Sequence, residues 1–337
     1  MHRRALSLAL LSSLGAAVTF VACGQAEEET APLDTTPIVG VYELAISRNH
    51  QAAQPGNAAL IELSPSELRL DHAPVIPLDN GRAAESEIAD GAITKLRQGL
   101  AANVRPGATV WVNANVPYAT LVQVMSALDA ARVREVSFAV RRGTTGTETG
   151  FMRLTRWRVA PAGDEPVTFE SPARPWSDFV DHWREIYASC REGQYIDCDG
   201  TPRNIAQGGD LQVVLWARGQ GMKVTFMQTN APAEGEQPAQ PTGPALIEGV
   251  RRPPPAEEVD LGPVISEGAF NFRHQESVAE NSKLSAAVQP VCGSNACQVV
   301  VDADASTPSM RVLSMIGAAF ANGFTEPDLA FRVPSAR

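Results

Sequence analysis

Thr109–Val140, TVWVNANVPYATLVQVMSALDAARVREVSFAV, decides the fold class. Its opening residues Thr109-Val110-Trp111-Val112 are β-branched or aromatic and read as a strand. Asn113-Ala114-Asn115 and Val116-Pro117-Tyr118 follow as a turn, where proline fixes φ and suits a helix start. Leu121, Val122, Met125 and Leu128 then fall at helical spacing, with Val124 widening the stripe. Glu135–Val140 alternates again. Strand, helix and strand are most simply closed as a right-handed crossover between neighbouring parallel strands.

The same design returns in Cys297–Val333. Val299-Val300-Val301-Asp302-Ala303-Asp304 aligns with Val110-Trp111-Val112-Asn113-Ala114-Asn115. After a slightly longer turn, Val312, Leu313, Met315 and Ile316 match Leu121, Val122, Val124 and Met125, and Leu329 falls opposite Phe138. Two unrelated crossover units would share the periodicity. The shared Asx-Ala-Asx turn and the four apolar helix positions favour an internal duplication.

The remaining segments fill in both copies. A β-like run lies within Ile38–Ile46. Ala59–Leu63 and Glu67–Leu70 read as two strands around Ser64-Pro65-Ser66. Ala92–Asn103 carries Ile93, Leu96 and Leu100 as a helical stripe. The Gly/Thr-rich stretch Arg141–Gly150 lacks a P-loop lysine and reads as a hairpin turn between strands Glu135–Val140 and Phe151–Val159. Pro175–Ser189 reads as a helix with Phe179, Trp183, Ile186 and Tyr187 on one face. Leu211–Trp216 and Lys223–Met227 flank Gly219-Gln220-Gly221 as a second hairpin. Thr229–Pro263 is rich in Pro, Ala, Glu and Gln and reads as a disordered insertion. Ser277–Val288 reads as a helix. The fold class expected is α+β, with similar small domains at 38–165 and 166–337 and the insertion at 229–263. Each domain is a hairpin plus a helix-strand-helix-strand unit, its helices packed on the sheet.

At these residues the chain resembles the periplasmic domain of the ExbD/TolR family, the small partner subunit of proton-driven motors in Gram-negative envelopes. That domain has a strand ending near Ala-Asp, a Val-Pro-Tyr-like turn and a helix with a Val-Met-Asp-Ala pattern. Here they stand as Val112-Asn113-Ala114-Asn115, Val116-Pro117-Tyr118 and Val124-Met125-Ser126-Ala127. The resemblance covers about Ala58–Val140, and the second copy more loosely. It implies a domain that dimerises and contacts the cell wall or a TonB-like or TolA-like partner. The family's proton-linked aspartate lies in a transmembrane helix. The apolar segment Ala5–Ala22 has no acidic residue, so motor function is not carried over.

Met1-His2-Arg3-Arg4 before that segment reads as a secretory signal, residues 1–22. Ser7, Ser12, Ser13 and Gly15 interrupt it, whereas a membrane span needs about 20 apolar residues. Phe20-Val21-Ala22-Cys23 resembles a bacterial lipobox with Phe20 in place of leucine. Cys23 is therefore the expected lipidation site and residues 23–37 the tether. Gly24 is consistent with outer-membrane sorting. The expected location is the cell envelope, lipid-anchored on the periplasmic face. In an exported chain, Cys190 with Cys198 and Cys292 with Cys297 read as two short-loop disulfides, each worth about 2–3 kcal/mol. Their unequal spacings suit zinc poorly.

The formal net charge of −10 argues against nucleic acid as a partner. No Gly-x-Ser-x-Gly elbow is present, and His50, His72, His182 and His274 stand outside any catalytic motif. Asp302 and Asp304 are too few for a cation site. The sequence therefore points to a binding or scaffold module, not an enzyme, with no cofactor and no metal. Its candidate binding surface is Asn113, Asn115, Tyr118, Asp302 and Asp304. Peptidoglycan or an envelope transport protein is the expected partner, and the protein is expected to be a monomer holding an intramolecular pseudo-dimer. The rival reading is a small-ligand receptor or enzyme with its site at the C-terminal ends of the parallel strands, near Asn113–Tyr118 and Asp302–Thr307.

Overall fold

The computed structural model describes residues 42–51, 54, 56–142, 148–163, 165–179, 181, 209–218, 221–230, 258–260, 284–285, 288–293, 297–321 and 326–335. The signal segment, Cys23, the tether, Cys190 and Cys198 lie outside them, as does most of the helix read at 175–189. The first half of the chain contains β1 (Ile46–Ser47), β2 (Ala58–Leu63), β3 (Glu67–Leu70) and β4 (Ala73–Pro77). A small hairpin, β5 (Ile88–Ala89) and β6 (Ala92–Ile93), leads into α1 (Thr94–Ala102). Then come β7 (Gly107–Val112), α2 (Tyr118–Ala130), β8 (Glu135–Arg142) and β9 (Thr149–Leu154). The second half contains β10 (Trp157–Ala160), β11 (Arg174–Pro175), β12 (Asp210–Arg218), β13 (Gly221–Thr229), β14 (Glu258–Asp260), β15 (Gln298–Ala303), α3 (Ser309–Ala319) and β16 (Asp328–Arg332).

The protein is α+β, with two mixed sheets and few helices. One sheet runs β1-β8-β7-β2-β3-β4 with β9 on β8; the other runs β10-β16-β15-β12-β13-β14 with β11 on β12. In the first, β8, β7 and β2 are parallel and β3 and β4 antiparallel. The strands β16, β15, β12, β13 and β14 repeat those directions. The hairpin β12–β13 and the C-terminal unit thus share one sheet, although 229–263 separates them in sequence.

The register revises the alignment read from sequence. Gly107 pairs with Ala58 and Glu135, and Gln298 pairs with Gln212 and Asp328. Gly107–Val112 therefore corresponds to Gln298–Ala303, without a gap. Asp302 and Ala303 lie inside β15, not in the turn, and Phe331, not Leu329, takes the place of Phe138. The strand expected at Phe151–Val159 is broken at Thr155-Arg156: β9 pairs with β8 in the first sheet, and β10 pairs with β16 in the second. The insertion expected to be disordered through 263 contains β14.

Alternation places Ile61, Val110 and Phe138 on the helix-covered face of the first sheet and Val299, Val301 and Phe331 on that of the second. All six belong to one hydrophobic core, together with Leu121 and Met125 of α2 and Leu313 and Ile316 of α3. The Phe138 and Phe331 rings meet with centroids 6.5 Å apart. Cys292 and Cys297, both buried, are joined with a Cα–Cα distance of 5.5 Å. This is one of the two bridges expected.

Helix α3 crosses β1 at Gly317. A Cβ there would stand 2.8 Å from Ser47 Cβ and 3.2 Å from Ser47 Cα, and closer still to Ser47 Oγ. Replacing glycine by alanine inside a helix ordinarily stabilises by about 1 kcal/mol. Here overpacking reverses the sign. Gly317→Ala is expected to lower stability in urea by about 1–3 kcal/mol, with Ser47→Gly in the same chain restoring part of the loss. A Gly317→Ala protein as stable as the parent would show that the helix and strand do not touch there.

Candidate functional site

The turns after β7 and β15 have the same internal bonds. Val116 N–H donates to Asn113 O at 3.1 Å, and Thr307 N–H to Asp304 O at 2.9 Å. Asn113 N–H donates to Leu63 O at 2.9 Å, and Asp304 N–H to Ala217 O at 3.4 Å. Each turn ends in a proline at the N-cap of its helix, and neither helix has a side-chain cap. Their first N–H groups therefore need outside acceptors.

Each turn supplies them to the other. Tyr118 N–H donates to Thr307 O and Ser309 N–H to Val116 O, both at 2.7 Å. Ala119 N–H donates to Ala305 O at 3.1 Å and Met310 N–H to Ala114 O at 3.2 Å. Pro117 and Pro308 face each other as an antiparallel bridge. Tyr118 with Ser309, Val116 with Thr307, Ala119 with Met310 and Ala114 with Ala305 play equivalent parts, each pair equally far apart in sequence, the arrangement of an isologous, two-fold contact. Each bond contributes about 1 kcal/mol net.

Symmetry stops at the side chains. Tyr118 is fully buried, and its hydroxyl lies 3.0 Å from Val301 O and 2.8 Å from Arg332 O, which share its one proton. Burial, and then the negative charge of Asp302, push the phenol well above its usual pKa. Ser309 holds the corresponding place in the second half; its buried Oγ has no hydrogen-bond partner among the described residues. Asp302 is 8% exposed and faces Arg332 at 3.7 Å. Arg332, 2% exposed, also donates to Glu165 O at 2.6 Å.

These positions revise the candidate surface. Only Asn115 is exposed; Asn113 and Asp304 are half-buried, and Tyr118 and Asp302 are buried. The strand C-terminal ends face each other: Tyr118 bonds across to Val301 O and Arg332 O, Asp302 pairs with Arg332 within its own half, and neither lines an open surface.

An open cleft lies instead near the N-terminal ends of β8 and β16. It encloses ≈ 520 Å³ between the C-terminal turn of α2, the β9–β10 bend, Phe169–Ser171 and the start of β16. Arg132, Arg134, Arg156 and Arg158 line it, with Trp157 between the last two. Arg156 Nε is 3.1 Å from Asp328, and Arg158 donates to Thr168 O at 2.5 Å. The signal was present in sequence as Arg132-Val133-Arg134 and Arg156-Trp157-Arg158, two arginine pairs each spaced by one apolar residue. Neither run resembles a catalytic motif, and the sequence reading passed over both. Among the described residues no group of three or more His, Cys, Asp or Glu could hold a metal ion, and no helix is long and apolar enough to cross a membrane.

Comparison of the chain with known proteins finds no matching family model, curated protein or solved structure.

Tyr118→Phe removes the hydroxyl and leaves its buried acceptors short of a donor. The expected loss is about 1–2 kcal/mol in urea unfolding at neutral pH. Because folding raises this phenol's pKa, its contribution is full below the unfolded value near 10 and falls as pH rises above it. The difference between parent and variant should therefore narrow above pH ~10. A constant difference would place the hydroxyl in contact with solvent.

Proposed function

We propose that this protein is a lipid-anchored binding scaffold of the bacterial envelope, in which two duplicated ExbD/TolR-like halves form an intramolecular pseudo-dimer. The observation that carries this reading is the reciprocal pairing of Val116–Tyr118 with Thr307–Ser309. It is a two-fold contact of the kind made between subunits, found within one chain. The common order of five strands in the two sheets supports duplication. The basic start, apolar run and small residues before Cys23 support export and lipidation, with Gln25–Pro37 as the tether.

In this reading the folded part stands off the periplasmic face of the membrane and engages peptidoglycan or an envelope transport protein. The engagement of the two strand-end turns with each other supports a scaffold over a small-ligand receptor or enzyme at those ends. Fusion of the halves also removes the need for a second copy.

Two measurements on the chain lacking residues 1–23 test the reading. Sedimentation equilibrium is expected to give the mass of one chain, and purified cell-wall sacculi are expected to pellet the protein saturably. A tight dimer would contradict the pseudo-dimer. Failure to pellet, with no envelope protein cross-linked to it in intact cells, would contradict the envelope-binding role.

A further inference from the structure

The arginine cleft lies away from the paired strand-end turns, and its chemistry points to a ligand of its own. In Arg132-Val133-Arg134 the valine is buried and both arginines are exposed; in Arg156-Trp157-Arg158 the tryptophan is half-buried between two exposed arginines. The first run is fixed by its backbone. Arg132 N–H donates to Asp129 O at 2.9 Å, Val133 N–H to Leu128 O at 3.0 Å and Arg134 N–H to Pro106 O at 3.3 Å. Arg132 has φ 60°, at a helix C-terminal position that glycine ordinarily takes. An arginine held there accepts backbone strain to place a guanidinium beside the cleft, and such strain gathers at functional positions.

The charges are unevenly used. Arg156 is paired with Asp328, while Arg158 is bonded to the neutral carbonyl of Thr168. Arg132 and Arg134 have no side-chain partner among the described residues. Of the lining acids, Asp328 is taken by Arg156 and Ser171, and Asp129 accepts Val159 N–H at 3.3 Å. Glu170, which also lines the cleft, is exposed. The lining holds four guanidinium groups and three carboxylates, with the Glu326 carboxylate bonded to Thr155 beside them, so the cationic character of the cleft comes from Arg132 and Arg134, which no carboxylate among the described residues pairs.

We propose that this cleft binds a compact oxyanion, a phosphate or carboxylate group, between Arg132 and Arg134 on one wall and Arg158 on the other. Guanidinium forks match both groups in a bidentate geometry that lysine does not reproduce. Glu170 repels the ligand and so limits affinity. The site does not depend on where the protein resides, and its two walls come from the two halves, Arg132 and Arg134 from the first and Arg158 from the second.

Isothermal titration of the chain lacking residues 1–23 at low ionic strength, with inorganic phosphate and separately with citrate, tests the proposal. At least one probe is expected to bind saturably at a single site, more weakly as salt rises; the tighter probe identifies the oxyanion. Arg132→Gly and Arg134→Ala should each weaken binding at least tenfold. Glu170→Gln should tighten it, and Arg82→Ala, outside the cleft, should leave it unchanged. Arg132→Gly relaxes a left-handed residue, so its melting temperature should equal or exceed the parent's, separating lost binding from lost folding. No saturable binding of either probe would overturn the site. So would equal weakening by Arg82→Ala, the signature of general charge attraction.

Discussion

The hydrogen bonds between Val116–Tyr118 and Thr307–Ser309 meet a need that neither half meets alone. Helices α2 and α3 start after prolines, without a capping hydroxyl or carboxylate, so their first N–H groups must find acceptors elsewhere. The carbonyls of the opposite turn supply them. Buried as these groups are, leaving them unpaired costs more than the net worth of the bonds. The same approach brings Phe138 and Phe331 together and lets the apolar faces of both sheets enter one core. Separated halves would expose that surface and both helix starts.

Around this shared frame the two halves differ. On the face of the first sheet away from the helices, Trp111 packs edge-on against Tyr42 and Phe151, at 6.1 and 6.2 Å between ring centroids. At the corresponding positions of the second sheet, Asp302 and Arg332 stand where Trp111 and Ala139 stand in the first. A buried ion pair at 3.7 Å recovers little of the desolvation cost of its charges. Arg332 is further anchored to the carbonyl of Glu165. Near it Val167 exchanges hydrogen bonds through both its N–H and C=O with the amide of Gln212, at 3.1 and 2.8 Å. The polar residues of this face thus hold the segment that joins the two halves, a task the first sheet's aromatic face does not share.

Much of the fold was legible because it rests on local patterns. The stripe Leu121, Val122, Val124, Met125 and Leu128 gave α2, the short runs on each side of the turn Ser64-Pro65-Ser66 gave β2 and β3, and Gly219-Gln220-Gly221 placed the second hairpin. What escaped depends on partners distant in sequence. In Phe151–Val159 the adjacent polar residues Thr155-Arg156 interrupt the alternation, but nothing local marks that its ends belong to different sheets. Asp302 looked like a turn residue because Asp304 follows two positions later; only its pairing with Trp216 shows it to be in the strand. Tyr118 reads as an exposed turn aromatic, and its burial is created by carbonyls at 301 and 332. The prolines at 117 and 308 were the better anchor for comparing the halves, since each precedes a helix and the two face each other. The cleft was hardest to see. Its arginines come from two runs on different elements, and a charge-neighbour-charge pattern has the look of any solvated strand or turn.

The central claim is that the two sheets are one cooperative body. Native-state hydrogen exchange across a urea series tests it most directly, read at Gly107–Val112 in β7 and Gln298–Ala303 in β15. Both strands are largely buried at the centre of their sheets. A single body predicts that their slowest amides open with the same free energy and the same urea dependence, that of global unfolding. Exchange in β15 at a lower free energy and with a smaller urea dependence than in β7, or the reverse, would mean that one half opens while the other stays folded. That result would contradict the account.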